Sequence, residues 1–214
     1  MCFGETEWQT NDQIDSQIDV NLAGSIRVTK SFLPLIRQHK SRIINVTSHC
    51  GLRSLPGLPI YSATKAGLVA FTEGLRLDME KYGVEVVNFI PGSFVTSSNI
   101  AANQTKHADK MRESMKTEQL NFYGDFFERY NDYLKFIASK KDPQMVESNI
   151  METFEEALLE TPPKTRYICE PLRYKLFHVL FKITPRKITD YLLYKFVSMP
   201  LYDPKKSISN LEVK

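Results

Sequence analysis

Residues 42–65 read RIINVTSHCGLRSLPGLPIYSATK, and the two changes of pattern inside them set the architecture. Arg42 to Ser48 is a short apolar run rich in β-branched residues, the composition of a strand buried on both faces. Gly51 to Pro59 is a loop dense in glycine and proline. From Tyr61 the period becomes helical and holds to about Lys81, with Leu68, Phe71 and Leu75 expected to face inward and Gly83 placed as a C-terminal cap. Working outward, Val84 to Ile90 (VEVVNFI) is a second buried strand that Pro91-Gly92 ends. Upstream, residues 13–38 predict a helix whose inner stripe is Ile14, Ile18, Leu22 and Ile26, continued by Phe32, Leu33 and Ile36, with Pro34 bending or closing it. Strict alternation of helix and strand predicts an α/β fold built on a parallel, Rossmann-like sheet with flanking helices.

Beyond Ser97 the character changes. Residues 97–141 are polar and helix-permissive but carry Phe122, Tyr123, Phe126, Phe127, Tyr130, Tyr133 and Phe136. A helix is expected at about 143–160 and a strand at 165–169 (TRYIC), followed by a basic amphipathic segment over 171–199. With 42% hydrophobic and 25% charged residues and a net charge of only +3, the chain is an ordinary globular one, and its dispersed lysines and arginines argue against a nucleic-acid partner. Cys2, Cys50 and Cys169 have neither disulfide-like nor metal-site spacing, which points to a reducing, intracellular setting. No apolar run approaches the roughly 20 residues of a membrane span.

The residues that suggest chemistry gather around the strand ends. Tyr61 and Lys65 lie four positions apart, hence on one helix face. A phenol of pKa about 10 is a poor base, but a neighbouring ammonium favours the phenolate, so Lys65 is expected to lower the pKa of Tyr61. Ser48 closes a buried strand at the carboxyl edge, where open α/β sheets bind ligands. Its hydroxyl there either orients a substrate oxygen or bonds local backbone. Asn21 and Gly24, two poor helix formers inside the first helix, suggest a local distortion. Pro91-Gly92-Ser93-Phe94-Val95-Thr96 follows directly on a buried strand, where glycine lets a flat ring approach the backbone.

Asn21, Ser48, Tyr61, Lys65 and the PGxxxT run from Pro91 together resemble the short-chain dehydrogenase/reductase family. The intervals agree as well as the residues: 27 from Asn21 to Ser48, 13 to Tyr61, 4 to Lys65, and 30 from Tyr61 to Pro91. The resemblance implies roles position by position. Tyr61 is the acid/base, Lys65 lowers its pKa and binds the nicotinamide ribose, Ser48 orients the substrate oxygen, and Asn21 anchors a proton-relaying water. Pro91, Gly92, Phe94 and Thr96 contact the nicotinamide end of NAD or NADP. Which of the two cofactors is used does not follow.

The family's TGxxxGxG turn, whose amides hold the pyrophosphate, does not occur in this sequence, nor does its NNAG strand end. The resemblance therefore implies an incomplete single domain over residues 1–214, with roughly 80–100 residues of a complete member preceding it, and weak cofactor binding by this chain alone. Pro163-Lys164-Thr165-Arg166-Tyr167 and Ile188-Thr189-Asp190-Tyr191-Leu192-Leu193 are similar to the tail of the retinol and 17β-hydroxysteroid dehydrogenase subgroup, to which D-β-hydroxybutyrate dehydrogenase also belongs.

The expected function is oxidation or reduction of an apolar, steroid- or retinoid-like alcohol or ketone. The alternatives are a D-3-hydroxybutyrate-type substrate, or an inactive chain that dimerises with a longer form. The aromatics at 120–136 then line a substrate lid or simply pack the lid on the core. The basic tail either touches a membrane surface or packs on the domain. A homo-oligomer is expected through the helices at 13–38 and 61–81, and endoplasmic-reticulum or mitochondrial membranes are the expected locations.

Overall fold

Every other element is arranged around one central strand. In the computed structural model, which describes residues 1–92, 102–139, 147–170 and 172–203, that strand is β2 (Glu85–Ile90), and it pairs in parallel on both sides. On one side lies β1 (Arg42–Val46), in register from Arg42 opposite Glu85 to Val46 opposite Phe89. On the other lies the short β3 (Arg166–Ile168), from Arg166 opposite Asn88 to Ile168 opposite Ile90. The expected parallel α/β sheet is present. All but the first residue of β2 are buried, as its apolar run predicts. β1 ends at Val46, two residues before the expected Ser48, and Val46 is exposed because β1 forms an edge among the described strands.

Helices cover the two faces differently. The α1 helix (Asn11–Ile18) runs through a π-helical turn at Asp19–Gly24 into α2 (Ser25–Gln38). With α3 (Pro59–Glu80) it shields one face, where Leu33, Ile36, Phe71, Leu75 and Met79 meet Ile43, Val84 and Val86. Proline at the first turn of α3 has no orphan amide to leave unpaired, and Gly83, at φ +71°, turns the chain into β2. On the opposite face α6 (Glu147–Leu159) brings Ile150, Phe154 and Ala157 onto Val87, Phe89 and Tyr167. The Arg42 guanidinium stitches this side together, bonding Glu85 Oε2 (2.6 Å) and the carbonyls of Ala157 (2.8 Å) and Glu160 (2.7 Å) at the end of α6.

The first helix departs from its expected stripe. Ile18 and Phe32 are exposed and Ile14, Leu22 and Ile26 only half-buried, whereas Gln13, Gln17 and Thr29 lie inside. The glutamines displace the isoleucines because their amides have buried partners. Gln13 closes a capping box with Thr10 and donates to His107 O (3.0 Å), and Gln17 donates to Gln9 Oε1 (2.8 Å) and accepts from Cys2 N (3.2 Å).

The polar stretch folds as α4 (Gln104–Ser114) and α5 (Thr117–Ser139). Its aromatics close around Trp8, whose ring centroid lies 5.1 Å from those of Phe127 and Tyr130 and 5.5 Å from those of Tyr123 and Phe126, all edge-on. Gln104 fastens α4 to the chain start by exchanging two hydrogen bonds with the Phe3 backbone, at 3.0 and 2.9 Å. The basic tail forms α7 (Leu172–Ile183) and α8 (Arg186–Val197).

Trp8 is the sole tryptophan and is 1% exposed. Trp8→Ala should cost about 3–5 kcal/mol of stability, read by urea unfolding followed by circular dichroism. A loss below about 1 kcal/mol would mean that the seating of α5 does not depend on this ring.

Candidate active site

The site begins where β1 runs out of partners. Thr47 N still bonds Phe89 O (2.8 Å), and the chain then turns into a short 3₁₀ segment, His49–Gly51, which Ser48 caps by accepting from Cys50 N at 3.1 Å. That bond uses one lone pair of the Ser48 oxygen and leaves its hydrogen free to point elsewhere. Tyr61, in the first turn of α3, comes to meet it, near enough for the Ser48 hydroxyl to act on the phenol. Tyr61 is only 6% exposed and belongs to the cluster of Phe3, Trp8, Leu58 and the lid aromatics.

One turn further along α3, Lys65 lies with its Nζ 5.9 Å from the centre of the Tyr61 ring and donates to Val46 O at 3.1 Å. The ammonium thus bridges the helix to the last residue of β1. Burial pulls its pKa below the ordinary lysine value, with the Cys50 thiol opposing. For Tyr61 the expected direction is reversed. Burial pushes the phenol above its ordinary value, outweighing the Ser48 hydroxyl, which favours the ionised form. The spacing of Tyr61 and Lys65 correctly places both on one face, but desolvation of the ring dominates.

Asn21 lies in the π-turn, so the suspected distortion is a helix with one residue too many for its α-ladder. Its carboxamide donates to Thr64 Oγ1 (3.2 Å), and Thr64 Oγ1 in turn donates to Tyr61 O (2.7 Å). Asn21 therefore reaches the Tyr61–Lys65 segment through Thr64, a fully buried residue that sequence reasoning passed over. Gly67 lets the two helices close, since a Cβ there would stand 3.0 Å from Leu22 Cδ2.

Cys50 was missed as well. Burial raises its thiol pKa, against the nearby Ser48 and Ser62 hydroxyls and the charge of Lys65, which places a sulfur among the four expected residues. Its only sequence signal is a position two after Ser48. Pro91 and Gly92 sit half-buried at the end of β2. Phe94 and Thr96 lie outside the described residues. Ser48, Tyr61 and Lys65 thus meet at one sheet edge, Asn21 joins them through Thr64, and a phenol and a hydroxyl so placed can both donate to one incoming oxygen.

The described residues hold no group of three or more metal-ligating side chains, and none of their helices is long and apolar enough to cross a membrane. An apolar cavity of about 850 Å3 opens beside the site, lined by Leu55, Tyr133, Phe136, Tyr174, Phe196 and Met199 among others. Leu55, Tyr133 and Met199 also pack against the cluster that contains Tyr61.

A parallel sheet with helices on both faces, carrying a tyrosine, a lysine and a serine at its carboxyl edge, defines a Rossmann-like α/β protein with a ligand site at the strand ends. The short chain dehydrogenase family profile matches residues 2–107. The chain is 30% identical over 199 residues to human short-chain dehydrogenase/reductase family 9C member 7, covering 92% of this chain and 62% of that protein. It is 34% identical over 193 residues to mouse retinol dehydrogenase 16, covering 89% and 59%. A solved short-chain dehydrogenase/reductase from Burkholderia phymatum, determined in complex with NAD, shares the fold at a TM-score of 0.61 and 20% identity, over 94% of this chain and 65% of that one. The chain belongs to the short-chain dehydrogenase/reductase family. It spans about three fifths of the length of the two curated relatives, 62% and 59%.

The raised phenol has a consequence for stability. The unfolded chain loses the Tyr61 proton at about pH 10, before the folded chain does, so stability is intact below that pH and falls as pH climbs toward the folded value. Between about pH 9 and 11, wild type should lose stability more steeply than Tyr61→Phe in urea titrations; parallel slopes would contradict a buried phenol.

Proposed function

We propose that this chain is the catalytic part, over residues 1–214, of one NAD- or NADP-dependent oxidoreductase domain that interconverts an apolar alcohol and its carbonyl compound. The observation that carries the reading is the convergence of the Ser48 hydroxyl and the Tyr61 phenol at the carboxyl end of β1, with Lys65 on the same helix face. The described residues fit one end of a dinucleotide. Tyr61 and Lys65 hold its nicotinamide ribose, and Pro91 and Gly92, with Phe94 and Thr96 beyond them in sequence, hold the nicotinamide itself. The half-buried Lys65 ammonium, whose hydrogen bond to Val46 O uses one of three donors, supports this assignment. A bound nicotinamide supplies the hydride acceptor or donor.

The chain's own residues handle the proton and the geometry. Ser48, fixed by the Cys50 amide, orients the substrate oxygen toward the Tyr61 hydroxyl. Tyr61 gives or takes the proton at its phenolic oxygen. Asn21, held on Thr64 beside Lys65, keeps the lysine end of the helix in place and carries the relay toward it.

An apolar substrate of steroid or retinoid type is supported by the 850 Å3 cavity and its aromatic walls. A small, charged 3-hydroxy acid would leave most of that apolar lining unfilled. A second reading, pairing with another copy or a longer form through the helices at 13–38 and 61–81, is favoured by Val28, Phe32 and Leu35, which are exposed together on α2. Contact with an internal membrane, in the endoplasmic reticulum or mitochondrion, would use α7 and α8. Leu176, Val179 and Ile183 are exposed there, with Lys175, Arg186 and Lys187 close by in sequence.

The test is NADH or NADPH formation with all-trans-retinol, androsterone and D-3-hydroxybutyrate, by the chain alone and joined to the glycine-rich segment of a relative. Turnover of the apolar alcohols is expected, reduced about 10²–10⁴-fold by Tyr61→Phe. Turnover of hydroxybutyrate only would overturn the substrate class, and activity indifferent to Tyr61→Phe would overturn the mechanism.

A further inference from the structure

The face of β2 turned toward α3 carries Val86 and, one step on, Asn88, a polar residue at the centre of the sheet and only 2% exposed. Its carboxamide oxygen accepts from Thr47 Oγ1 at 2.6 Å, but its Nδ2 has no acceptor among the described residues. A buried donor left unpaired loses its hydration without a protein bond to replace it. The contrast with Asn45, its register partner on β1, is instructive. Asn45 Nδ2 donates to Thr72 Oγ1 (2.9 Å), which donates onward to Leu68 O (2.7 Å), so that amide nitrogen has a partner and holds α3 to the sheet.

Asn88 instead lines a cavity of about 290 Å3 between α3 and the β2–β3 pair, separate from Ser48, Tyr61 and Lys65. Its other polar walls come from Thr72, Glu73, Arg76, Thr165 and Arg166. Arg166 is neutralised by Glu73 at 2.7 Å, while Arg76 forms no ion pair with a carboxylate among the described residues. The cavity therefore offers one guanidinium without an ion-pair partner among the described residues, and directly beneath its wall lies an amide NH2 without an acceptor, groups that donate and cannot accept. A water could satisfy the amide but would leave the excess positive charge. An anion with several acceptor oxygens answers both, and the guanidinium fork matches carboxylate and phosphate geometry.

We infer that the cavity floored by Asn88 and rimmed by Arg76 is a binding site for a small oxyanion, a carboxylate or a phosphate. The test follows the side-chain amide signal of Asn88, assigned by its loss in Asn88→Ala, while sodium acetate or sodium phosphate replaces sodium chloride at constant ionic strength. The thermal midpoint is read in parallel, so the result does not depend on Asn88→Ala folding.

A saturable shift with at least one of the two anions is expected, weakened tenfold or more by Arg76→Gln and unchanged by Lys30→Gln on the exposed side of α2. Saturation with acetate alone identifies a carboxylate site, and with phosphate alone a phosphate site. No saturable response to either, a response equal to that of chloride, or one indifferent to Arg76→Gln overturns the assignment.

Discussion

A parallel strand cannot pair its last residues with its neighbour indefinitely; where β1 stops, its final carbonyl and the next side chains must find partners elsewhere. Here Val46 O takes the Lys65 ammonium, Thr47 bonds across to β2, and Ser48 takes the Cys50 amide. Those few hydrogen bonds couple strand, turn and α3 into one rigid corner. The corner brings a phenol, a hydroxyl and an amine together from residues that are separated by up to 17 positions between Ser48 and Lys65. A side chain placed on regular elements in this way is held more firmly than one carried by a loop, and the proposed chemistry relies on that firmness.

Around the corner the molecule uses two kinds of cement. Between the sheet and α6 the contacts are apolar. Between the chain start, α1 and α4 they are largely amide to amide, with Gln9, Gln13, Gln17 and Gln104 each buried and engaged. Buried polar networks that are fully satisfied specify geometry more strictly than apolar packing does. The α4–α5 pair is consequently tied to the segment before α1 by directional bonds and by the Trp8 ring, while the outward aromatics of α5, Phe122 and Phe136, remain at the surface.

Much of this was legible from residue patterns, for identifiable reasons. VEVVNFI reads as a central strand because burial on both faces leaves no room for alternation, and α3 reads as a helix because its inward Leu68 and Leu75 keep a single period. The inner face of α1 was not legible. Periodicity ranks isoleucine above glutamine, and only the positions of Gln9, His107 and the Cys2 amide in space explain why glutamine wins. Ser48, Tyr61 and Lys65 were found because their spacing maps onto adjacent elements. The direction of the Tyr61 pKa was not, since it depends on how many lid aromatics close over the ring. Thr64 and Cys50 gave little signal, being small residues next to conspicuous ones.

The π-turn at Asp19–Gly24 gives the first helix two phases. An α-helix advances about 100° per residue, and the extra residue absorbed in the turn offsets the part before it from the part after it. Gln13 can thereby aim at α4 and Gln17 at the chain start, while Leu33 and Ile36 aim at the sheet. A single-residue deletion inside the turn would restore an unbroken ladder of backbone bonds yet rotate one half against the other by about that same angle. The local gain in regularity would be offset by swinging either the glutamines or the leucine–isoleucine face out of alignment, so the irregularity works as a phase coupler between the sheet and the segment that α4 packs against.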